Sequence, residues 1–256
     1  VQSPRAQADK ERYQKYMMEA VLGQDGLEVI EDDASGLLVS SSVAPHEFVV
    51  NGVKLLSGSS LSCPKVVLCS GTFLKGLMHV GENQSIGGRE GSASSEQLSS
   101  GLTDLGFQLR RLKTGTPPRL DRNTIDFSQL QVQPGDQNPV PFSFRTRHFM
   151  PTQVDCHMAY TNHQTHDIIS ANLDRSPLFA GTIEGRGPRY CPSIEDKIVR
   201  FADKDRHLLF LEPESLSSDE IYVNGLSTSL PADVQKAMVR SIPGLEKACL
   251  VRNGYA

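Results

Sequence analysis

The spacing of apolar positions changes several times along the chain, and each change predicts a different element. Residues 4–22 (PRAQADKERYQKYMMEAVL) are good helix formers with a broken stripe of Tyr13, Met17 and Val21, and Pro4 suits a first helical turn. Short strand-like runs follow at 27–30 (LEVI), 36–39 (GLLV) and 48–50 (FVV). Asn51-Gly52 predicts a hairpin turn ahead of a further strand at 53–56. Residues 65–69 (KVVLC) form a continuous apolar run that ends in Ser70-Gly71-Thr72. Apolar throughout and closed by small residues, it predicts a parallel strand buried on both faces and running up to a ligand.

The order helix, small meander, buried strand is that of the later part of a two-dinucleotide-fold flavoprotein, though the apolar run also fits any α/β core strand. Residues 84–95 (QSIGGREGSASS) predict a Gly/Ser-rich loop, either a plain connector or one able to approach phosphates. A helix is expected over 95–105, with Leu98, Leu102 and Leu105 on one face and Gly106 as its stop. Residues 117–141 are rich in Pro, Gln, Asn and Asp, and a domain boundary is placed near their start. Beyond it the pattern predicts a helix at 165–173, a strand at 207–211, and a helix at 231–241 with Pro231 in its first turn. The chain closes in a strand and its turn. Repeats and heptads are absent from it.

Composition narrows the class. With 38% hydrophobic and 22% charged residues over 256 positions, one large or two smaller globular domains are expected. There is no run of about 18 apolar residues, so no membrane partner is expected. The start (VQSPR) carries neither an initiator Met nor a signal pattern, and both ends read as cut from a longer protein. The net charge of −4 gives no global pull toward nucleic acid, so RNA contact would need a local basic patch. Five scattered cysteines with no zinc spacing suggest reduced thiols, as in the cytoplasm or equally a mitochondrial matrix.

Two stretches carry candidate chemistry. In 185–197 (GRGPRYCPSIEDK) two glycines permit a tight approach, Pro192 suits the first helical position, and Ile194, Ile198 and Phe201 give a helical apolar stripe. That places Cys191 at or beside a helix N-cap with Arg189 near in sequence, a setting that stabilises a thiolate. The plainer reading is a small buried residue. In 110–119 (RRLKTGTPPR) four cations occur without an acid, and Arg111, Lys113, Thr114, Gly115 and Arg119 could hold cofactor phosphates or an RNA backbone. A solvated charged turn is the alternative. His157, His163 and His166 lack a completing carboxylate or thiol, and no metal is assigned.

Taken in order, SPRAQADK (3–10), SGTFLKG (70–76), GGREG (87–91), RLKTGTPPR (111–119), IDFS (125–128), NLDRSPLFAG (172–181), GPRYCPSIEDK (187–197), FLEPE (210–214) and GLSTSLP (225–231) resemble the MnmG, or GidA, family nearly end to end. The resemblance implies an α/β fold: an incomplete FAD-binding Rossmann-like domain over 1–117, an inserted α/β domain over 118–250, and a return to the first from 251 to 256. It implies a flavoenzyme that works with an MnmE-type GTPase, as a homodimer, on the wobble uridine of tRNA. A (carboxymethyl)aminomethyl group goes onto carbon 5, with methylenetetrahydrofolate as one-carbon donor and NADH as reductant.

By the same resemblance Cys191 is one of two family cysteines tied to catalysis, and Arg189 matches a position important for activity. Gly187, Pro188, Arg189, Tyr190, Cys191, Pro192, Ser193, Ile194, Glu195, Asp196, Lys197, Ile198, Val199, Arg200 and Phe201 match the family's NAD-binding segment. Ala34 and Ser95 match FAD contacts. Ser92-Ala93-Ser94 stands where relatives usually have Asp-Pro-Pro, and Ala159-Tyr160 and Asn253 also depart from the pattern. The family's glycine-rich FAD motif, its second cysteine and its helical C-terminal domain do not occur in these 256 residues. The chain alone is therefore expected to bind FAD weakly or not at all. Rival readings are a folate- and FAD-dependent tRNA uridine methyltransferase and a non-catalytic RNA-binding flavoprotein remnant.

Overall fold

A computed structural model of the chain describes residues 5–41, 47–183 and 192–256. The class is mixed α/β. Helix α1 (Lys10–Leu22) begins six residues later than the Pro4 signal predicts, because Asp9 caps it by accepting the Arg12 N–H at 2.9 Å. Asp9 also accepts from the Ser215 hydroxyl and the Leu216 N–H, so a distant loop fixes where the helix starts. Its apolar stripe covers nothing: Tyr13, Met17 and Val21 are all exposed.

Strands β1 (Ala34–Ser41), β2 (Phe48–Leu55) and β3 (Ser60–Ser62) form an antiparallel sheet. The Asn51-Gly52 pair is not the turn it signals. β2 runs straight through it, and the register steps from Val39 opposite Val50 to Leu38 opposite Gly52, leaving Asn51 as the extra residue of a bulge. Gly52 is required there because β3 lies so close: a Cβ would sit 2.1 Å from the Leu61 carbonyl oxygen. Residues 27–30 and 65–69, both expected as strands, are not strands. Val67 is 88% exposed, and among the described residues no strand pairs with either segment. A central parallel strand needs hydrogen-bonded neighbours and two covered faces, and neither is present here.

The hairpin of β4 (Leu77–Val80) and β5 (Asn83–Ile86) takes the first three residues of the predicted Gly/Ser loop. Helix α2 (Glu96–Asp104) follows as the pattern predicts, with Leu98 and Leu102 buried and Gly106 at φ 89° closing it.

The second half is built on one six-stranded sheet in the order β11-β6-β10-β9-β8-β7. Its strands are β6 (Arg119–Asp121), β7 (Gln131–Gln133), β8 (Cys156–Tyr160), β9 (Leu208–Pro213), β10 (Glu220–Asn224) and β11 (Leu250–Arg252), and every ladder is antiparallel. Helices α3 (His163–Ser170), α4 (Ile194–Arg200) and α5 (Ala232–Arg240) supply the remaining elements. The core lies here. Of 21 buried hydrophobic side chains among the described residues, 18 form one cluster between Leu120 and Ala248, and only Leu55, Leu98 and Leu102 precede it. Each such burial is worth roughly 1.5–3 kcal/mol, so nearly all the apolar stabilisation sits in the second half.

The two halves meet where the chain enters and leaves the sheet. Thr116 and Tyr255 exchange backbone hydrogen bonds of 2.9 and 3.2 Å, and His79 and Ala256 do the same at 2.8 and 3.2 Å. Buried Gln235 ties α5 to the last residues by bonding both Gly254 backbone groups at 2.7 and 2.8 Å.

Candidate functional site

One cleft of about 470 Å³ lies in the first half, lined by Asp33, Ala34, Leu68, Cys69, Ser70, Phe73, Ser92, Ala93, Ser95 and Leu98. The volume is within the range of small-molecule sites. Local sequence explains how it forms. Ala34 opens β1, and Ser95 is the N-cap of α2. The Ser95 N–H donates to the Phe73 carbonyl at 2.8 Å, and its carbonyl accepts from the Lys75 N–H at 3.4 Å, so the SGTF segment lies beside the helix start. The Ser95 side chain makes no capping bond to its own helix. The cleft wall there combines the small residues Ala34, Ser70, Ser92 and Ala93 with Asp33, Leu68, Phe73 and Leu98. The structure thus brings Ala34 and Ser95 together, and adds Ser70 and Phe73. Ser70 of the terminal SGT lines this cleft, although the strand expected to lead up to it is absent among the described residues.

The basic stretch is already engaged. Lys113 is buried, with its Nζ 3.2 Å from Asp196 Oδ2. Arg119 pairs with Glu214 through its Nε, donates to the Pro117 carbonyl at 2.6 Å, and lies 4.4 Å over the Tyr222 ring. The Arg111 guanidinium donates to the Lys75 carbonyl at 2.5 Å. Gly115 passes the Ser227 side chain, 3.6 Å from where a Cβ would stand, and Thr114 is exposed. A phosphate at Lys113 or Arg119 would have to displace a carboxylate, so these two are not the open cations that the sequence suggests, whereas Arg111 and Thr114 are exposed. Burial pushes the carboxyls of Asp196 and Glu214 up. The hydrogen bonds and charges of Lys113 on the first, and of Lys10 and Arg119 on the second, outweigh that and hold both below the usual carboxylate range.

Gly187, Pro188, Arg189, Tyr190 and Cys191 lie outside the described residues. The next residues correct the helix start. The N-cap is Ser193, with Asp196 completing a capping box, so Pro192 precedes the helix and Cys191 stands two residues before the cap. Helix α4 also opens with Glu195 and Asp196, whose charges oppose an anion at that end. The expected thiolate stabilisation falls on Cys191 and Arg189, which lie outside the described residues.

Most of the described part of the expected NAD-binding segment faces inward. Ile194 and Ile198 belong to the core cluster, while Ser193 and Glu195 are buried. Glu195 Oε1 accepts from Thr228 Oγ1 at 3.0 Å, the Ser229 N–H at 3.1 Å and Ser176 Oγ at 3.3 Å. It staples α4 to the 226–231 loop. Lys197 Nζ donates to the Gly225 carbonyl at 2.8 Å. Only Pro192, Val199, Arg200 and Phe201 are exposed. Within the expected NAD-binding segment the side chains of Ser193, Ile194, Glu195 and Ile198 are therefore buried in the fold.

Cys63 and Cys156 are half-buried, Cys69 and Cys249 exposed, and no disulfide joins them. Among the described residues no group of three His, Cys, Asp or Glu could hold a metal ion. No helix there is long and apolar enough to cross a membrane. Sequence reading missed the Lys113–Asp196 pair. Its one available signal was the acid at the third position of a Ser-x-x-Asp box, which marks a helix start but names no distant partner.

The model of the glucose inhibited division protein A family matches residues 1–256. The chain is 52% identical over its full length to the tRNA uridine 5-carboxymethylaminomethyl modification enzyme MnmG of Aliarcobacter butzleri. It is 50% identical over 99% of its length to the protein of that name from Rhodopirellula baltica. It covers 40% of each, so the chain spans about two fifths of the length of these curated relatives. Among solved structures it superposes on GidA of Aquifex aeolicus with a TM-score of 0.89 at 49% identity, covering all of this chain and 43% of that one.

Proposed function

The chain belongs to the glucose inhibited division protein A family, and from that premise we propose that it is the central part of a flavin-dependent tRNA-modifying enzyme. The enzyme adds a (carboxymethyl)aminomethyl group to carbon 5 of the wobble uridine. The observation that carries the reading is the cleft of about 470 Å³, in which Ala34, the SGTF segment and the Ser95 helix start converge although they are far apart in sequence. FAD fits it in part: Ala34 and Ser95 would hold one end of the group, and the bound flavin would supply the redox chemistry.

Cys191 is the proposed nucleophile and Arg189 its cationic neighbour. A thiolate that adds to the uracil ring makes carbon 5 nucleophilic, which allows it to take a one-carbon unit. Arg189, two residues before Cys191, and the nearby helix start would both stabilise the thiolate. NADH as reductant, methylenetetrahydrofolate as donor, an MnmE-type GTPase partner, a homodimer and a cytoplasmic location all follow from the family likeness. So does the division into a flavin part over 1–117, an inserted domain over 118–250 and a return over 251–256. The reciprocal backbone bonds between Thr116 and Tyr255 support that division, since they hold the entry and exit of the inserted sheet side by side.

The test is nucleoside mass spectrometry of tRNA from cells whose only copy of the protein, with its native flanking sequence, carries Cys191→Ser. Loss of the substituted wobble uridine is expected. Persistence of the full product would remove Cys191 from the chemistry, and a product bearing only a methyl group would mean a uridine methyltransferase instead.

A further inference from the structure

Lys113 has the surroundings of a structural cation. It is 8% exposed, and its partner Asp196 is 17% exposed. Asp196 does two things at once. Its Oδ2 accepts Lys113 Nζ at 3.2 Å and also the N–H and hydroxyl of Ser193 at 3.2 and 3.1 Å, while its own N–H donates to Ser193 Oγ at 3.1 Å. One carboxylate therefore closes the capping box of α4 and anchors a lysine from a remote segment. Two residues before Lys113, Arg111 donates to the Lys75 carbonyl, and Lys75 is bonded through its N–H to Ser95 in the cleft wall. A short strap thus runs from the cleft to the first turn of α4.

We propose that Lys113 is a positioning residue: its ion pair with Asp196 fixes the first turn of α4 relative to the cleft, and Lys113 touches neither cofactor nor RNA phosphate. Neither side chain lines the cleft. Removing Asp196 leaves the buried Lys113 charge uncompensated, while removing Lys113 leaves Asp196 with Arg200 at 3.7 Å and the Ser193 donors. The consequence for chemistry rests on the reading of Cys191 as nucleophile. One residue, Pro192, separates Cys191 from Ser193, at most about 7 Å of extended chain, so on that reading a displaced α4 start would displace the thiol.

The experiment uses the FAD-loaded protein with its native flanking sequence, and compares wild type, Lys113→Met, Asp196→Asn, the double variant and Cys191→Ser in steady-state tRNA modification. Each single charge variant is expected to lower kcat by up to about 100-fold, as misplacement of about 1 Å remote from the reacting atoms does. KM for tRNA should stay within about twofold, the sign of unchanged ground-state binding. The double variant should be no slower than either single one, because the two residues act as one unit. FAD content and the salt dependence of tRNA binding should not change.

A phosphate contact predicts the reverse: Lys113→Met raises KM and flattens the salt dependence, while Asp196→Asn has no effect. That result, or wild-type kcat in both single variants, overturns the proposal. If Lys113→Met does not fold, Lys113→Arg, which keeps the charge but not its geometry, is judged by the same criteria. Wild-type turnover by Cys191→Ser would sink the nucleophile reading separately, and a shared kcat defect of the pair would still support Lys113 as the residue that sets α4.

Discussion

His166 and His207 face each other with ring centroids 5.3 Å apart. Thr161 Oγ1 lies 2.8 Å from His166 Nε2 and accepts the His207 backbone N–H at 2.8 Å, while His207 Nε2 is buried without a partner. Burial lowers the pKa of both; the charge of His163 adds to this at His166, and those of His166 and Lys197 add to it at His207. A histidine held neutral in the fold favours the native state above its ordinary pKa, and that contribution is lost as pH falls through the lowered value. The melting temperature should therefore drop as pH is taken from about 7 to about 5, and His166→Gln should make the drop shallower. An unchanged pH slope in that variant would show that the pair is not responsible. At the same scale, Glu195 shows how a residue in a binding-like motif can serve packing, since four donors converge on a single carboxylate oxygen.

At the scale of elements, the bulge in β2 is the most exacting feature. Gly52 lets β3 pass so closely that an added methyl group would meet the Leu61 carbonyl oxygen at 2.1 Å. Gly52→Ala is expected to destabilise by about 1–3 kcal/mol, the usual cost of overpacking, through a displaced β3. Urea unfolding measures it, and a loss near zero would mean that β3 is not held there. The helices were legible in advance where a cap or stop was written into them: Gly106 closes α2, and Pro231 precedes the first turn of α5. The starts of α1 and α4 lie six and two residues beyond the positions that Pro4 and Pro192 suggest. Asp9 and Ser193 set them, through bonds that a proline signal does not reveal. β8 and β10 were not read, because CHMAY and EIYVN are short and mix polar with apolar residues.

Over the whole molecule the core is divided very unequally. Eighteen buried hydrophobic residues cluster beyond residue 118, whereas Val67, Leu27 and Val29 in the first half are at least half exposed. The second half should therefore unfold as the stable unit, and Leu211→Ala within it should cost about 2–5 kcal/mol. The first half presents a cleft with strand-like segments on no sheet, so the isolated 256-residue chain should purify colourless. A yellow preparation that NADH bleaches would show that the cleft alone seats the flavin.

The sequence by itself determined the family, the α/β class, the helices that carry their own stops, and two of the residues that line the cleft, Ala34 and Ser95, since these depend on local pattern and on motif identity. Tertiary structure decided which charges are free. Lys113 and Arg119 read as open cations until Asp196 and Glu214, each more than 80 positions away, are brought beside them. It also decided that the 65–69 run is not a strand here, because a strand exists only through its neighbours, and hydrogen-bonded pairing is a property of at least two segments.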